Sequence, residues 1–221
     1  MKEFKIRASK ASFLLTAGGK TSVAQTPKTY FEEWLISNIT GKHKVIDSKY
    51  LRRGIESEEF AIARVGKELV KNKQYFENDY FKGTPDIITD DCVIDTKCSW
   101  DAFTFPFFMK EPPIQYVAQL QVYMNLTGKR KAILAYCLEN GTMEQINSLA
   151  WKKAKDDGAD EPKIDHWDTA ESELNYDNIS PELRIKKFEI EYDEDMINNL
   201  IEGVKFGREY IKNELLTQIK L

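Results

Sequence analysis

The stretch at 83–97, GTPDIITDDCVIDTK, constrains the fold most, because it sets charged residues inside two short apolar segments. The apolar pairs at 87–88 and 93–94 are typical of buried strands, and the two aspartates between them are typical of a turn. The sequence therefore predicts two strands, at 80–89 and 92–98, joined as a hairpin.

Three charged residues of this hairpin, Asp86, Asp95 and Lys97, are predicted to meet at one site. Side chains alternate along a strand, so Asp95 and Lys97 point to the same face, and Asp86 reaches them across the hairpin. Burying two carboxylates this close is unfavourable unless a cation neutralises them, and one lysine does so only in part. A divalent metal ion would complete the neutralisation.

The ligand atoms of this site favour Mg²⁺, which prefers hard oxygen ligands and keeps several of its waters. Asp86, Asp95 and the backbone carbonyl of Thr96 would supply those oxygens. Water bound to such an ion becomes a nucleophile towards a phosphate group. Lys97 can orient that water or stabilise charge on the phosphate.

A helix predicted at 53–70 carries a third carboxylate. Apolar residues recur there at alternating steps of three and four, and Glu58 lies in the same row. Glu56 and Glu59 fall to the side, where water can solvate them. Glu58 is therefore predicted to point towards the sheet as a ligand of the same metal ion or of a second one. The apolar members of the row are Ile55, Ile62, Val65 and Leu69.

The rest of the chain alternates helices and strands. Residues 5–40 are predicted to be mainly helical, with Ser9 or Ser12 as a cap and a loop at 16–22 that lacks the spacing of a Walker phosphate loop. Together the elements predict an α/β fold with a mixed central sheet flanked by helices. The remaining elements are a proline-rich aromatic loop at 99–113, a helix at 114–126, strands at 131–138 and 185–192, and a helix at 193–216.

The segment 141–183 differs from its surroundings because it is polar, acidic and weakly periodic. It is predicted to be an irregular insertion with one short helix near 143–155. A chain of 221 residues is long enough for one substantial core, so residues 1–221 are predicted to form a single domain that contains this insertion.

Charge is unevenly distributed in this chain, whose net charge is -4. Residues 1–73 hold 15 Lys and Arg against 8 Asp and Glu, whereas residues 156–195 hold 4 against 15. The first third can therefore present a phosphate-binding surface, although a solvated surface of uneven charge explains the counts as well. The sequence has no apolar run near the ~20 residues of a membrane span and no signal-like apolar segment after its basic start, which predicts a cytoplasmic protein.

Four motifs together resemble a known nuclease family. The first is Pro-Asp at 85–86, eight residues, and Asp-Thr-Lys at 95–97. The second is RGxxxExxA, with Glu58 as its glutamate, and the third is QxxxY at Gln119 and Tyr123. The fourth is IRASKASFLLT at 6–16. In this order they resemble the lambda exonuclease and YqaJ-like viral recombinase nucleases, in the RecB-type branch of the PD-(D/E)xK superfamily.

This resemblance implies a restriction-endonuclease-like core and assigns roles to the motif residues. Glu58, Asp86 and Asp95 would surround the metal ion, and Lys97 would lie at the attacking water. Gln119 and Tyr123, four residues apart on one helix face, would lie near the site or the DNA, although they could equally cap the core.

The resemblance also implies a cofactor and a cellular role. The cofactor would be Mg²⁺, with Mn²⁺ able to substitute. An iron–sulfur cluster, found in some of the branch, is disfavoured because the chain has only Cys92, Cys98 and Cys137. The activity would be resection of linear double-stranded DNA from its 5′ ends, which leaves 3′ single strands for recombination. A phage origin, a ring-shaped homotrimer and a single-strand annealing protein as partner are implied as well.

Two other functions fit the same residues, and three residues are candidate DNA contacts. The alternatives are a PD-(D/E)xK endonuclease and a non-catalytic DNA-binding recombination scaffold. Arg52 and Arg53 are candidate phosphate contacts, although Arg53 could equally hold the start of the helix. Trp100, in the aromatic loop, could stack on an unpaired base, whereas packing or a subunit contact is the more common use of such rings.

Overall fold

The computed structural model describes residues 2–15 and 25–219, so the loop predicted at 16–22 lies outside the described part. The first half contains β1 (Ile6–Arg7), a 3-10 helix (Ala8–Leu14), α1 (Gln25–Thr40), α2 (Lys49–Val65), β2 (Phe76–Glu77), β3 (Phe81–Gly83), β4 (Ile87–Ile88) and β5 (Val93–Cys98). The second half contains α3 (Ile114–Thr127), β6 (Lys131–Cys137), α4 (Met143–Asp156), α5 (Ile164–Glu173), a 3-10 helix (Pro181–Arg184), β7 (Ile185–Glu191) and α6 (Glu194–Tyr210). α6 continues through a π-helical turn (Ile211–Leu215) into a last turn at Leu216–Gln218.

The central sheet has the strand order β4-β5-β6-β7 and mixed strand directions. β5 runs parallel to β6, whereas β4 and β7 are antiparallel to their neighbours. A smaller sheet of order β1-β3-β2 lies beside it. The prediction of an α/β fold with a mixed sheet and flanking helices is confirmed.

Helices cover both faces of the central sheet. Val93 of β5 belongs to the main hydrophobic core, to which α3 and α6 also contribute buried side chains. The next residue, Ile94, packs instead with Ile62 of α2 in a second cluster. Because adjacent side chains of a strand point to opposite faces, α2 lies on one face of the sheet and α3 on the other.

The strand predicted at 80–89 is two strands in two different sheets. β3 pairs with β1 and β2, whereas β4 pairs with β5. The chain crosses from one sheet to the other at 84–86, the stretch that contains Pro85, which cannot donate a ladder hydrogen bond. The predicted turn at 90–91 is present, because the Thr89 N–H donates to the Cys92 carbonyl at 2.9 Å.

α2 begins and ends earlier than the prediction of 53–70. Ser48 caps its first turn by accepting from the Leu51 N–H, and the chain becomes extended at Gly66. Ile55, predicted to be buried, is 65% exposed. The buried face instead consists of Arg53, Ser57, Ala61 and Ile62. Polar side chains thus take the place of the predicted apolar ones in the first turns of the helix.

The acidic segment 141–183 is more regular than predicted. α4 agrees with the predicted helix near 143–155, and Thr142 and Gln145 form a capping box at its start. A second helix, α5, packs against α4 and was not predicted. α5 has ten residues and buries only Ala170, so its sequence shows too little hydrophobic periodicity to predict a helix.

The segment predicted as helical at 5–40 starts as a strand. β1 occupies Ile6–Arg7, and neither Ser9 nor Ser12 caps an α-helix, because both lie inside the 3-10 helix. The helix predicted at 114–126 is α3, and Gly128 ends it in the left-handed conformation with φ 73°. No helix in residues 2–15 and 25–219 is long and apolar enough to cross a membrane.

Candidate active site

Asp86 is attached to β5 by two hydrogen bonds. Its Oδ2 atom accepts from the Thr96 N–H at 2.8 Å and from the Thr96 hydroxyl at 3.2 Å. Asp86 directly precedes β4, and because Ile87 pairs with Ile94 in the antiparallel ladder, Asp86 lies across from Asp95. The structure thus brings together the two aspartates that the sequence placed at one site.

Asp95 is 1% exposed, and different partners hold its two carboxylate oxygens. Oδ1 accepts from the Gln119 side-chain amide at 2.9 Å, and Oδ2 contacts the Lys97 ammonium in an ion pair. Beyond this ion pair, Oδ2 accepts no hydrogen bond within the described residues. Gln119 also donates to the Tyr123 hydroxyl at 3.1 Å, so both predicted residues of α3 reach the site.

Lys97 is more exposed than Asp95, its partner in the ion pair, because 24% of the Lys97 side chain is accessible. Its ammonium lies 5.1 Å from the ring centroid of Tyr116, within cation–π distance. Tyr116 was not predicted as a site residue. It lies three residues before Gln119 on α3, so the spacing along the helix could have identified it.

Glu58 reaches the same site from α2, but a lysine holds its carboxylate. Glu58 Oε2 accepts from the Lys71 ammonium, and the side chain of Glu58 is 22% exposed. Its negative charge helps to raise the pKa values of both Asp86 and Asp95, which places it near them. Lys71 was not predicted, because nothing local in the sequence relates it to residue 58.

The ionisation of these groups shows that the site needs positive charge. Burial, and then the neighbouring Asp95 carboxylate, raise the pKa of Asp86 to about 6. Burial likewise raises the pKa of Asp95 against the opposing effect of Lys97. Burial acts to lower the pKa of Lys97, but the Asp95 and Asp86 carboxylates outweigh it and raise that pKa.

The oxygen atoms of this site fit a divalent metal ion. Asp95 Oδ2 is buried with only the Lys97 ion pair, and Thr96 binds just one oxygen of Asp86. Carboxylate oxygens are the hard ligands that Mg²⁺ and Mn²⁺ prefer, and a bound cation would relieve the repulsion between them. In residues 2–15 and 25–219, no three His, Cys, Asp or Glu side chains already stand in a metal-binding arrangement. Glu58 is turned to Lys71 instead.

The candidate DNA contacts have different surroundings. Arg52 forms a two-point ion pair with Glu144 of α4, at 2.6 and 2.9 Å. Arg53 is 3% exposed and donates to the carbonyls of Glu139 and Asn140. A phosphate contact by Arg53 therefore disagrees with the structure, because its donors hold α2 to the end of β6.

Trp100 lies at the surface in a small aromatic cluster. Its ring makes an edge contact with Tyr50, with 5.0 Å between the centroids, and the Lys49 ammonium lies 4.9 Å from its centroid. Within the same loop, Phe103 and Phe108 are 99% and 95% exposed. Trp100 therefore keeps an accessible position beside a cation.

A basic cavity of about 280 Å³ adjoins the site at Tyr123. Arg7, Ser9 and Lys82 line it and also line a larger groove of about 870 Å³ that runs along α1. Burial, and then the Arg7 charge, lower the pKa of Lys82, and together they outweigh the opposing effect of the Glu77 carboxylate. Arg7 and Lys82 were not predicted to meet, because only the pairing of β1 with β3 in the small sheet brings them together.

Comparison with known proteins gives matches among solved structures. No protein-family model and no curated protein sequence matches this chain. A phage related exonuclease from Haemophilus somnus 129PT matches with a TM-score of 0.79 and 24% identity, over 99% of this chain and 97% of that one. The alkaline exonuclease LHK-Exo from Laribacter hongkongensis matches with a TM-score of 0.67 and 16% identity, over 98% of this chain and 92% of that one.

A structure of LHK-Exo in complex with dAMP matches similarly, with a TM-score of 0.66 and 18% identity. These matches span almost the whole chain, so the range that they cover includes 141–183. At such identities the likeness concerns the fold. The chain therefore has the fold of the phage-related and alkaline exonucleases, as its resemblance to the lambda exonuclease and YqaJ-like nucleases predicted.

Proposed function

We propose that this protein is a metal-dependent deoxyribonuclease, and specifically an exonuclease that degrades linear double-stranded DNA. The observation that carries the proposal is the set Asp86, Asp95 and Lys97, in which Asp95 is buried, with Glu58 beside it. A structural ion pair would not need three carboxylates gathered around two ammonium groups, those of Lys97 and Lys71. The exonucleases that share the fold support the same class of reaction.

In this proposal Asp86, Asp95, Glu58 and the Thr96 carbonyl hold the metal ion, Mg²⁺ or in its place Mn²⁺. The bound ion would polarise the phosphate and lower the pKa of a water molecule. Gln119 fixes the orientation of the Asp95 carboxylate through Oδ1. Lys97, at the other oxygen, orients the attacking water and stabilises the charge that develops on the phosphate.

The cavity beside Tyr123 supports an exonuclease over an endonuclease. Arg7, Ser9 and Lys82 offer two cations and a hydroxyl next to the carboxylates. A terminal phosphate carries more negative charge than a phosphodiester, so it would be the better ligand for this cavity. In our proposal the cavity receives the 5′-terminal phosphate, and the enzyme digests from 5′ to 3′ and leaves 3′ single strands for recombination.

The wider setting of the enzyme rests on the sequence resemblance. We further propose that the protein is of phage type and that residues 1–221 form one domain. It would act in the cytoplasm of the host cell. A homotrimer around the DNA and a single-strand annealing protein as partner belong to this proposal too. Trp100 and Arg52 stay as candidate DNA contacts, with Arg52 released from Glu144 when DNA binds.

Cleavage of end-labelled DNA tests this function. Linear duplexes labelled at the 5′ or the 3′ end, and a closed circle, are incubated with Mg²⁺ and with EDTA. We expect release of 5′-labelled nucleotides that requires Mg²⁺ and leaves the circle intact. Nicking of the circle would establish an endonuclease instead. Mg²⁺-independent binding without cleavage of any substrate would support a recombination scaffold.

A further inference from the structure

Lys71 is the direct partner of the Glu58 carboxylate. Its ammonium contacts Oε2 of Glu58, and 42% of the Lys71 side chain is exposed. Glu58 comes from α2, whereas Lys71 comes from the segment that leads from α2 to β2. The ion pair therefore joins the helix that carries Glu58 to a separate part of the chain.

The backbone next to Lys71 is fastened to the strand that carries Asp86. The Asn72 N–H donates to the Asp86 carbonyl at 2.7 Å, and the Asn72 side chain donates to the Pro85 carbonyl at 2.9 Å. Gln74 N–H closes a local turn by donating to the Asn72 side-chain oxygen at 3.0 Å. These bonds hold the Lys71 backbone at a set place beside the site, so the Glu58 contact does not depend on a free surface segment.

Two ammonium groups thus face three carboxylates at this site. Lys97 pairs with Asp95, and Lys71 pairs with Glu58. A metal ion that takes Glu58 as a ligand must share this carboxylate with Lys71, which already contacts Oε2, and it also meets the repulsion of the ammonium charge. Lys71 has no place in the four motifs that define the sequence resemblance.

We propose that Lys71 is the resident counter-ion of Glu58 and that it competes with the divalent metal ion for this carboxylate. Lys71 therefore lowers the metal affinity of the DNA-free protein, and it keeps Glu58 paired when no metal is bound. This inference rests on the proposed function, because it takes Glu58 as a metal ligand. Lys71 would be a positioning residue that weakens metal binding, whereas the metal ligands strengthen it.

Calorimetric titration of the DNA-free protein with Mg²⁺ or Mn²⁺ tests the competition. Lys71→Gln removes the ammonium charge, and we expect it to tighten metal binding about five-fold, which is the size of a partly exposed ion pair. Lys71→Arg keeps the cation and should stay near the wild-type affinity. Lys73→Gln, an equal charge change at an exposed position two residues away, is the matched control and should change the affinity less than two-fold.

A double-mutant cycle separates direct competition from a general charge effect. In a Glu58→Gln background, Lys71→Gln should no longer tighten metal binding, because the contested carboxylate is absent. Metal binding by Lys71→Gln that is equal to or weaker than that of the wild type would overturn the inference. An equal increase in metal affinity with and without Glu58 would overturn it as well. The proposed function is judged separately, by cleavage of end-labelled DNA, so its failure can be distinguished from failure of the competition between Lys71 and the metal ion.

Discussion

At the level of single residues, the site is organised around Asp95. Gln119 holds one of its oxygens and Lys97 the other, and its side chain is almost fully buried. Asp86 adds a second carboxylate that the backbone of Thr96 holds in place. A buried carboxylate between a fixed amide and an ammonium cannot rotate freely, so its geometry is ready before substrate binds.

Replacement of Asp95 or Lys97 should remove activity without unfolding the protein. We expect Asp95→Asn and Lys97→Ala to lower the rate of DNA cleavage by at least about 100-fold, because each removes a group that acts on the reacting phosphate. DNA binding in Ca²⁺ and the circular dichroism spectrum should stay close to wild type. Wild-type turnover by either variant would show that the catalytic site lies elsewhere.

The raised pKa of Asp86 predicts that stability depends on pH in the metal-free protein. The folded-state pKa is about 6 and the ordinary value is 3.8, so the folded protein binds the proton more tightly. This stabilisation is complete below pH ~4 and is lost as the pH rises through about 6.

Asp86→Asn tests this prediction, because asparagine can still accept from the Thr96 N–H but does not ionise. In EDTA at pH 8 we expect the variant to be more stable than wild type, by on the order of 1–2 kcal/mol. At pH 3.5, below the ordinary pKa of 3.8, the difference should nearly disappear. Urea unfolding at the two pH values measures it, and an equal effect at both would refute the assignment.

At the level of elements, α2 is positioned by a buried charged network at the end of β6. Glu139 accepts from Arg64 of α2, and its carbonyl accepts from Arg53 at 2.7 Å. Arg184, directly before β7, completes the network through its contact with Glu139 at 3.7 Å. Since Glu58 lies between Arg53 and Arg64 on α2, this network sets where its carboxylate meets the sheet.

Two glycines in helices are expected to respond oppositely to alanine. A Cβ at Gly207 of α6 would lie 2.6 Å from the Phe31 ring, which is fully buried, whereas a Cβ at Gly54 of α2 would meet nothing within 4 Å. Gly207→Ala should lower the free energy of unfolding by about 1–2 kcal/mol through overpacking. Gly54→Ala should raise it by about 0.5–1 kcal/mol through helix propensity. Chemical denaturation of both variants checks the contrast, and equal effects would contradict it.

At the level of the whole molecule, basic side chains from distant parts of the chain collect next to the acidic site. Arg7 of β1 and Lys82 of β3 meet beside Tyr123 of α3, and the groove along α1 continues from them. The excess of positive charge in residues 1–73 is therefore concentrated in part around one groove. The strongly acidic residues of 156–195 belong mainly to α5, β7 and the start of α6.

Lys82 should contribute to recognition of a DNA end. We expect Lys82→Gln to weaken the preference for 5′-phosphorylated over 5′-hydroxyl ends about ten-fold and to reduce the salt dependence of DNA binding by about one phosphate contact. Lys152→Gln, at an exposed position of α4, is the control for loss of one positive charge. If both variants lost binding equally and kept the end preference, the cavity would not be the phosphate site.

The sequence by itself determined the mixed α/β class, the main helices and strands of the central sheet, and five residues that gather at the candidate site, namely Asp86, Asp95, Lys97, Gln119 and Tyr123. These follow from local patterns, because strand alternation joins Asp95 to Lys97 and helical spacing joins Gln119 to Tyr123. The limits of short elements did not follow from such patterns. α5 buries a single alanine, and the 80–89 segment divides between two sheets. Neither feature produces a hydrophobic periodicity that could be recognised in the sequence.

Only the tertiary structure decided which charges meet. It paired Glu58 with Lys71, buried Arg53 against the carbonyls of 139–140, and brought Arg7 beside Lys82. Each of these contacts joins residues that are far apart in the chain, and several charged partners were available for each. The choice among them depends on where α2 and the small sheet dock on the central sheet, because an ion pair acts over only a few ångströms.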